Sequence, residues 1–424
     1  MIAALVSASS AQRAPDSLAV SRAEATDRAL ASAADLGHFQ AAVRAASALE
    51  RVPLLVSNPV LGVESEGRST PFSSREYTRR ISLDQEIDLR GQRRARRSLG
   101  QATVSVAERD WAARKQAIEG SVDEAYGRWL TARHRIDFLE PLANRAREMS
   151  GHADAARRRE IITGFDARVL RGDVAELDAE QVEAQRDLEQ ADAELRVWMG
   201  IPVNQPLRPV DDLDGRSWQC AVEALTALAQ RERADLARAG AAESLAAARW
   251  GLERRLTLAN PSLGITAGRE RRSFESSSSG TLEDQATILG IRASIPLPLA
   301  RATATASEAQ VEWSRAQGER ARLDLTVRQE VAAACARLAR AQDRRELLQT
   351  AAASAASDLR LTESAYREGR IPLEQYLTVR ERLVRIQREA LDAAARVEEA
   401  RSQLVRATGT RREVLTAMLH STER

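Results

Sequence analysis

The sequence predicts a mainly α-helical fold with a small β part, in which two pairs of strands alternate with long coiled-coil helices. Three observations support this prediction: an alanine-rich, highly charged composition, an internal duplication, and a change of apolar spacing at two places in the chain. Of the 424 residues, 43% are hydrophobic but only 4% are aromatic, while 29% are charged. This combination is typical of closely packed helices with charged outer faces rather than of a thick globular core.

The chain is an internal duplication, which governs the order of its elements. The stretch NPVLGV at 58–63 reappears as NPSLGI at 260–265, a shift of 202 residues, and further along the shift settles at 209. The larger shift aligns Ile118 with Val327, Val122 with Val331, and Gly200 with Gly409. We therefore expect two repeats of one architecture, 21–209 and 210–409, followed by a C-terminal tail at 410–424.

Each repeat is predicted to contain a helix, a strand pair, a long helix and a return helix. Residues 21–50 alternate alanine with charge at helical spacing. Apolar residues then recur at intervals of three and four from 118 to 139, which is coiled-coil spacing. A continuous helix over 93–160 would extend about 100 Å at a rise of 1.5 Å per residue, with Pro141 as a candidate bend.

At the strand pairs the apolar residues alternate instead. From 80 to 89 one parity is mainly apolar and the other is polar, and 289–299 has the same pattern, as expected for strands with two different faces. Shorter strands precede them near 61–66 and 263–268. Polar loops are expected at 67–75 and 270–285, and the extra residues of the second copy are expected in the serine-rich segment 276–280.

Charge and motif content exclude several classes of function. The 63 basic residues nearly balance the 61 acidic ones, whereas nucleic-acid-binding domains carry a clear basic excess. The basic run at 90–97 follows an amphipathic strand and is interpreted as the first helical turns at a membrane surface. The chain contains no P-loop, GxSxG or HExxH motif, and its four histidines are scattered. We expect no nucleic-acid partner, no enzymatic activity, no cofactor and no metal site.

The first residues and the cysteines bear on the compartment. The start, MIAALVSASSAQ, resembles the apolar end and cleavage region of a secretory signal without its basic segment. We expect export, with residues 1–20 as a signal remnant or a disordered N-terminus. Cys220 and Cys335 are the only cysteines. A disulfide between them stays open in an oxidising compartment, while the heptad position next to Cys335 favours a small buried hydrophobe.

Four strands are too few to close a barrel that holds a pore, and open sheet edges are not tolerated in lipid. We therefore expect other copies of the chain to complete the sheet. The combination resembles the TolC family of outer-membrane efflux channels over nearly the whole chain. An NPxLG motif opens each strand pair, at 58–62 and 260–264, and QEIDLRGQR at 85–93 and SIPLPL at 294–299 are similar to segments of the heavy-metal branch, the CzcC-like and CusC-like channels.

The resemblance implies a homotrimer whose chains form a twelve-stranded outer-membrane β-barrel joined to a periplasmic α-barrel of coiled-coil helices. It implies a location in the outer membrane, in contact with lipid and extending into the periplasm. Such channels are passive exit ducts, and the implied partners are a periplasmic adaptor and an inner-membrane efflux transporter of the RND type. The cargo stays open between heavy-metal cations and organic compounds, because the pump selects it.

The resemblance also places two helix-hairpin turns at the periplasmic end of the tunnel. The second turn, at 366–374, has the family's YxxG pattern, while the first has Glu160 in place of that glycine. Gly164 is expected to supply the turn there. The residues expected to close the tunnel or dock the adaptor are Glu160, Thr163, Gly164, Asp166, Tyr366, Gly369, Arg370 and Glu374.

The alternation of the strands assigns their two faces, because only an apolar face is inexpensive in hydrocarbon. The residues expected to face lipid are Leu83, Ile87, Leu89, Ile291, Ile295 and Leu297. The residues expected to face water in the lumen are Ser82, Asp84, Glu86 and Arg292.

Two other classes of function stay open at this point. A periplasmic coiled-coil adaptor or structural protein would also contain long amphipathic helices, but an adaptor needs a further β-domain that the sequence does not show. An enzyme with a helical core would require titratable residues clustered at a fixed spacing, and no such cluster is found. The channel interpretation accounts for both the repeat and the strand pairs.

Overall fold

The computed structural model is mainly helical and describes residues 18–51, 58–69, 74–160, 162–213, 215–257, 260–276, 280–295 and 300–421. Most of the expected signal remnant therefore lies outside the described residues. The described elements are, in chain order, β1 (Leu18–Val20), α1 (Arg22–Ser32), α2 (Ala34–Arg51), β2 (Val60–Ser69), β3 (Ser74–Glu86), α3 (Gln92–Arg158), α4 (Gly164–Met199), β4 (Leu207–Pro209), α5 (Val222–Glu232), α6 (Ala234–Leu256), β5 (Ser262–Ser276), β6 (Gly280–Ser294), α7 (Ala300–Arg367), α8 (Leu373–Thr408) and α9 (Arg412–Ser421).

The chain divides into two compact units. Unit 1 comprises Met1–Gly37, Ala112–Ala234 and Asp324–Arg424, and unit 2 comprises His38–Trp111 and Asp235–Leu323. Unit 1 holds α4, α8 and the parts of α3 and α7 that lead into them, from Ala112 and Asp324 onward, together with a short parallel pairing of β1 with β4. Unit 2 holds the antiparallel four-stranded sheet.

The helix hairpins of unit 1 repeat to the residue at a shift of 209. Helix α3 ends at Arg158 and α7 at Arg367, while α4 and α8 are both 36 residues long and begin and end at shifted positions. Both return helices end at a glycine with left-handed backbone, Gly200 with φ 65° and Gly409 with φ 67°, the usual end of a helix. The 209-residue repeat predicted from the sequence is confirmed for these helices.

The core of unit 1 follows the predicted coiled-coil spacing. The buried side chains at that spacing are Ile118, Val122, Ala125, Trp129 and Leu139 in α3, and Val327, Val331, Ala334 and Leu338 in α7. Pro141 lies inside α3, which continues through it. The segment 21–50, by contrast, forms two helices, because Ala33 takes an extended conformation and ends α1.

The sheet of unit 2 has the strand order β2-β3-β5-β6, and every pairing is antiparallel. Leu83 in β3 lies opposite Ile265 in β5, which lies opposite Ile291 in β6. Within the described part of the chain, β2 and β6 each have one edge without a partner strand. The two hairpins therefore form one continuous sheet with two open edges.

The expected polar loops at 67–75 and 270–285 are largely wrong, because the strands continue through most of them. Strand β5 runs to Ser276 and β6 starts at Gly280. Backbone ladder bonds do not require apolar side chains, and charges are paired here, since Arg272 Nε lies 3.5 Å from Glu76 on the neighbouring strand and 2.6 Å from Glu270 on its own strand. The extra residues of the second copy lie mainly in longer strands, 15 residues each against 10 and 13, while 277–279 lie outside the described residues.

The strand expected over 80–89 starts earlier and ends at Glu86. It ends because Asp88 caps the start of α3. The Asp88 carboxylate accepts hydrogen bonds from the backbone N–H groups of Gln92 at 2.9 Å and Arg93 at 2.6 Å. Burial alone would raise the pKa of Asp88, but these N–H donors hold it below its usual value. Ile87 and Leu89 consequently lie outside the strand.

Candidate functional site

The second NPxLG motif fastens the base of the sheet to the start of α3. The Asn260 amide donates to Glu86 Oε1 and to Gln92 Oε1, both at 2.8 Å. At Gly264 a Cβ would come within 2.0 Å of the Asp84 carboxylate, so a larger residue there would displace that side chain. Asn260, at the start of the motif, therefore anchors the sheet to α3, while Gly264, at its end, allows the Asp84 side chain to lie close to the backbone.

One face of the sheet presents an apolar band. Leu83 is 42% exposed and Ile291 is 82% exposed, and the strand register places them on this face. The residues expected to face lipid omit most of this band: those in β2 and β5, and also Ile81 and Leu289, which the predicted alternation places on the same face. The further exposed apolar residues on this face are Leu61, Val63, Ile81, Leu263, Ile265 and Leu289.

The other residues expected to face lipid lie beyond the strand ends. Ile87, Leu89 and Ile295 are exposed but follow β3 and β6. Leu297 lies outside the described residues. Contact of any of these side chains with lipid stays a prediction.

The opposite face of the sheet is polar and mainly acidic. Ser82, Asp84, Glu86 and Arg292 lie on it, as the alternation predicts. The charged residues of this face in the described strands are Glu64, Glu66, Glu76, Asp84, Glu86, Glu270 and Asp284, against Arg68, Arg80, Arg272 and Arg292. Seven carboxylates thus stand against four arginines, a net negative surface.

The first hairpin turn differs from the expectation in which residue supplies it. Glu160 has φ 59°, and Gly369, its counterpart at the 209 shift, has φ 71°. Gly164 is the first residue of α4 and does not supply the turn; that expectation is wrong. The hairpin geometry fixes the backbone at this position, so Glu160 adopts a conformation that usually costs about 1–2 kcal/mol for a residue with a Cβ.

The start of α4 is closed by a reciprocal pair of hydrogen bonds. The Asp166 backbone N–H donates to Thr163 Oγ1 at 3.1 Å, and the Asp166 carboxylate accepts from the Thr163 N–H at 3.2 Å and from its hydroxyl at 2.8 Å. This is a capping box, which satisfies otherwise unpaired N–H groups. The Asp166 carboxylate is therefore engaged inside its own hairpin.

An aromatic pair lies next to the second hairpin turn. Tyr366 stacks on Tyr376 with 4.8 Å between ring centroids, and Tyr376 is buried with Met149 and Leu170. Burial raises the pKa of Tyr376 to about 12. Burial, followed by the nearby charge of Asp166, raises the pKa of Tyr366.

The other residues expected to close the tunnel or dock the adaptor divide between the two hairpin turns. Gly369 and Arg370 lie in the second turn, where Arg370 pairs with Glu368, and Glu374 is exposed in the first turn of α8. Thr163, Gly164 and Asp166 start α4. The structure thus places all eight residues at the two hairpin turns, while their roles in closing a tunnel or docking a partner stay predictions.

Sequence reasoning missed a buried cluster of charges in unit 1. Arg22 of α1 pairs with Asp123 at 2.9 Å and with Glu398 at 2.5 Å, and Arg412 of α9 pairs with each of these carboxylates at 2.9 Å. All four side chains are at most 13% exposed. Burial alone would raise the pKa of Asp123, but the charges of Arg22 and Arg412 lower it to about 2. The cluster fastens α1 and α9 to α3 and α8.

The two cysteines lie side by side in unit 1. Both are free, and Cys335 is buried as expected. The nearby Cys335 side chain lowers the pKa of Cys220, while the Cys220 side chain, together with burial, raises the pKa of Cys335. The disulfide that the sequence left open is therefore not formed in this structure.

Two features are absent from the described residues. No group of three or more His, Cys, Asp or Glu side chains in these residues is arranged to hold a metal ion. Among the helices described, none combines the length and the apolar character that a membrane span needs.

Solved structures with a similar fold are outer-membrane channels or membrane proteins. A membrane protein from Pseudomonas aeruginosa is 20% identical, with a TM-score of 0.70 over 91% of this chain and 93% of that one. CusC is 18% identical, with a TM-score of 0.70 over 92% of each chain. The CmeC outer membrane channel of Campylobacter jejuni is 15% identical, with a TM-score of 0.71 over 92% and 85%.

These similarities show that the fold is TolC-like. The likeness to CusC is no stronger than the others, so the heavy-metal branch stays a proposal. Comparison with curated proteins gave no significant match. A family model described as outer membrane efflux protein matches residues 20–201 and 225–410. Because this match covers both repeats and most of the sequence, the chain belongs to the outer membrane efflux protein family.

Proposed function

We propose that this chain is one subunit of a homotrimeric outer-membrane channel, the exit duct of a tripartite efflux pump. The observation that carries the proposal is the four-stranded sheet of β2, β3, β5 and β6, which has an apolar face and two edges without a partner in the described chain. Backbone groups at such edges must be paired in lipid. Three copies would pair all edges and give twelve strands.

In this proposal the chain consists of the repeats 21–209 and 210–409 with a tail at 410–424, and it spans the outer membrane and extends into the periplasm. The equal helix hairpins of the two repeats would supply six similar hairpins to the wall of a tunnel. The partners would be a periplasmic adaptor and an inner-membrane transporter of the RND type. Conduction through the duct would be passive.

Two measurements on the purified protein test the assembly. Cross-linking followed by mass measurement in detergent should give a trimer, and the protein should produce discrete conductance steps in planar bilayers. A folded monomer without conductance would contradict the proposal.

Spin labels test the assignment of the two sheet faces. In a background with Cys220→Ser and Cys335→Ala, labels are attached at Leu83→Cys and Asp84→Cys, neighbours whose side chains lie on opposite faces. The label at 83 should be accessible to oxygen dissolved in lipid, and the label at 84 to a water-soluble nickel complex. Equal accessibility of the two labels would show that the sheet does not separate lipid from water.

We also propose that the hairpin turns at Glu160 and Gly369 form the periplasmic end, where they close the tunnel and contact the adaptor. Asp166→Ala and Tyr366→Ala should raise single-channel conductance, while Ile291→Ala on the strand face should not. Because the Asp166 carboxylate also accepts from the Thr163 N–H at the start of α4, Asp166→Asn is the matched control, since it keeps an acceptor for that N–H and removes the charge. An effect of Asp166→Ala that is absent in Asp166→Asn would assign the change to helix capping instead of gating.

The cargo proposed for the duct is a heavy-metal cation. The support is the similarity of the segments 85–93 and 294–299 to the heavy-metal branch, together with the acidic excess on the polar face of the sheet. A strain that lacks this chain should become sensitive to divalent or monovalent metal ions and should keep its resistance to organic dyes. Sensitivity to dyes alone would favour an organic cargo and leave the channel itself intact.

A further inference from the structure

Beyond the apolar band, the same face of the sheet becomes basic. One row of the ladder places Arg79 opposite Arg269, and the next row places Tyr77 opposite Arg271. Arg75 follows in the third row, opposite Ser273. These residues share the parity of Leu83 and Ile265, so they lie on the apolar face of the sheet. We call Arg75, Arg79, Arg269 and Arg271 the arginine cluster.

The arginine cluster keeps an excess of positive charge, because its four arginines outnumber the two carboxylates on the same face, Glu275 and Glu283. In the described residues, no carboxylate lies within 4 Å of any of the four guanidinium groups, and all four residues are exposed. The ion pairs of the sheet use Arg80 and Arg272, which lie on the opposite face. Like charges directly opposite each other destabilise a ladder, so the row of Arg79 and Arg269 would be stabilised by an anion.

The arginine cluster surrounds a hollow of the right size for a headgroup. The hollow has a volume of about 880 Å³, and its lining includes all four arginines and Tyr77. Three carboxylates also line it: Glu76 and Glu270, which pair with Arg272, and Glu283. Arg79 lies over the ring of Tyr77, with 5.1 Å between the guanidinium carbon and the ring centroid. This volume falls within the range of small-molecule sites, and tyrosine is typical of the level where lipid headgroups meet water.

We propose that the arginine cluster binds the phosphate groups of lipid headgroups in the membrane that surrounds the sheet. The inference rests on the proposed function, because the apolar band meets lipid only if these strands lie in a membrane. Guanidinium groups bind phosphate through two parallel hydrogen bonds, and an apolar band followed by such donors matches a lipid whose acyl chains continue into a phosphorylated headgroup. Lipid phosphate would then hold the sheet at a fixed depth.

The test uses the full-length trimer in detergent and two lipid probes, diphosphorylated lipid A and the same lipid with its phosphates removed. Bound lipid is counted by native mass spectrometry. We expect the phosphorylated lipid to bind at least about tenfold more tightly, since one charge-assisted hydrogen bond alone contributes about that factor. Inorganic phosphate at the concentration of the lipid should not displace it.

Variants then locate the site. Arg79→Gln, Arg269→Gln and Arg271→Gln together should remove the preference for the phosphorylated lipid. The matched control, Arg80→Gln, Arg272→Gln and Arg292→Gln, removes three arginines from the opposite face and should keep the preference. The comparison of the two lipids on the unchanged protein does not depend on the folding of any variant.

Each outcome decides either this inference or the proposed function. Equal binding of the two lipids, equal loss in both triple variants, or full displacement by inorganic phosphate would overturn lipid-phosphate binding. If any of these results is obtained while the unchanged protein still forms a conducting trimer, only this inference fails. If the unchanged protein forms neither a trimer nor conductance steps, the proposed function fails first.

Discussion

Replacing Asp123 by asparagine is expected to destabilise unit 1 more than any surface ion-pair change of the same kind. The asparagine preserves the shape of the side chain but removes its charge. Arg22 and Arg412 are then left with Glu398 as the carboxylate that they share. An arginine deprived of a buried partner keeps its desolvation cost, so removing one side of such a pair is strongly unfavourable.

The magnitude follows from the pKa of Asp123, which the two arginines lower from 3.8 to about 2. At about 1.4 kcal/mol for each pKa unit, the charged form contributes about 2.5 kcal/mol to folding at neutral pH. Because the folded-state pKa is the lower one, this contribution is present above about pH 4. It is lost as the pH falls from about 4 to about 2. Asp123→Asn should therefore cost about 2.5 kcal/mol at pH 7 and little at about pH 2.

Denaturant unfolding of the detergent-solubilised protein, followed by tryptophan fluorescence, measures this change. Trp218 is a suitable reporter because the guanidinium groups of Arg401 and Arg412 lie 5.0 and 5.8 Å from its ring centroid. Asp178→Asn is the matched control, since Asp178 pairs with Arg147 at 2.6 Å but both side chains are 45% exposed, and exposed pairs contribute at most about 1 kcal/mol. Equal effects of the two substitutions at pH 7 would refute the reasoning.

Three further predictions concern backbone conformation and charge. Gly369→Ala should destabilise the protein by about 1 kcal/mol because of its positive φ alone, as a Cβ there meets nothing within 4 Å, whereas Glu160→Gly should be neutral or stabilising in the same unfolding assay. Gly409→Ala should cost more than Gly369→Ala, since its Cβ would also lie 3.1 Å from the Arg233 backbone; an equal cost would contradict this. In planar bilayers the channel should prefer cations, and Glu66→Gln should shift the reversal potential toward that of an unselective pore, which a salt gradient measures.

The helical part of the fold could be predicted from the sequence because its signals are local and repeated. The spacing of Ile118 and Val122, and the recurrence of Gly200 as Gly409, predict the long helices and their ends. The strand limits could not be predicted in the same way. Arg271 falls in the polar loop expected at 270–285, but the backbone ladder continues through it. The alternation that identifies a strand depends on a difference between its faces, and here both faces become polar.

Some features of the candidate sites could likewise be predicted from the sequence, and others could not. The positions of the hairpin turns follow from the repeat, but the left-handed backbone at Glu160 does not, because tertiary context imposes a conformation that its side chain disfavours. The charged cluster of Arg22 and Asp123 joins residues 101 positions apart. Each looks like one more surface charge in an alanine-rich helix, and only packing of α1 against α3 shows that the pair is buried.

The agreement of α4 and α8 in length restricts how this chain can change by insertion or deletion. Removing one residue from the middle of either helix would rotate everything beyond it by about 100°. Buried residues such as Leu195 or Leu404 would then turn away from their neighbours. The strand hairpins carry no such restriction, since the second has 15-residue strands where the first has 10 and 13. Variation in length should therefore accumulate in the strand hairpins, while the helices α4 and α8 should vary only by substitution.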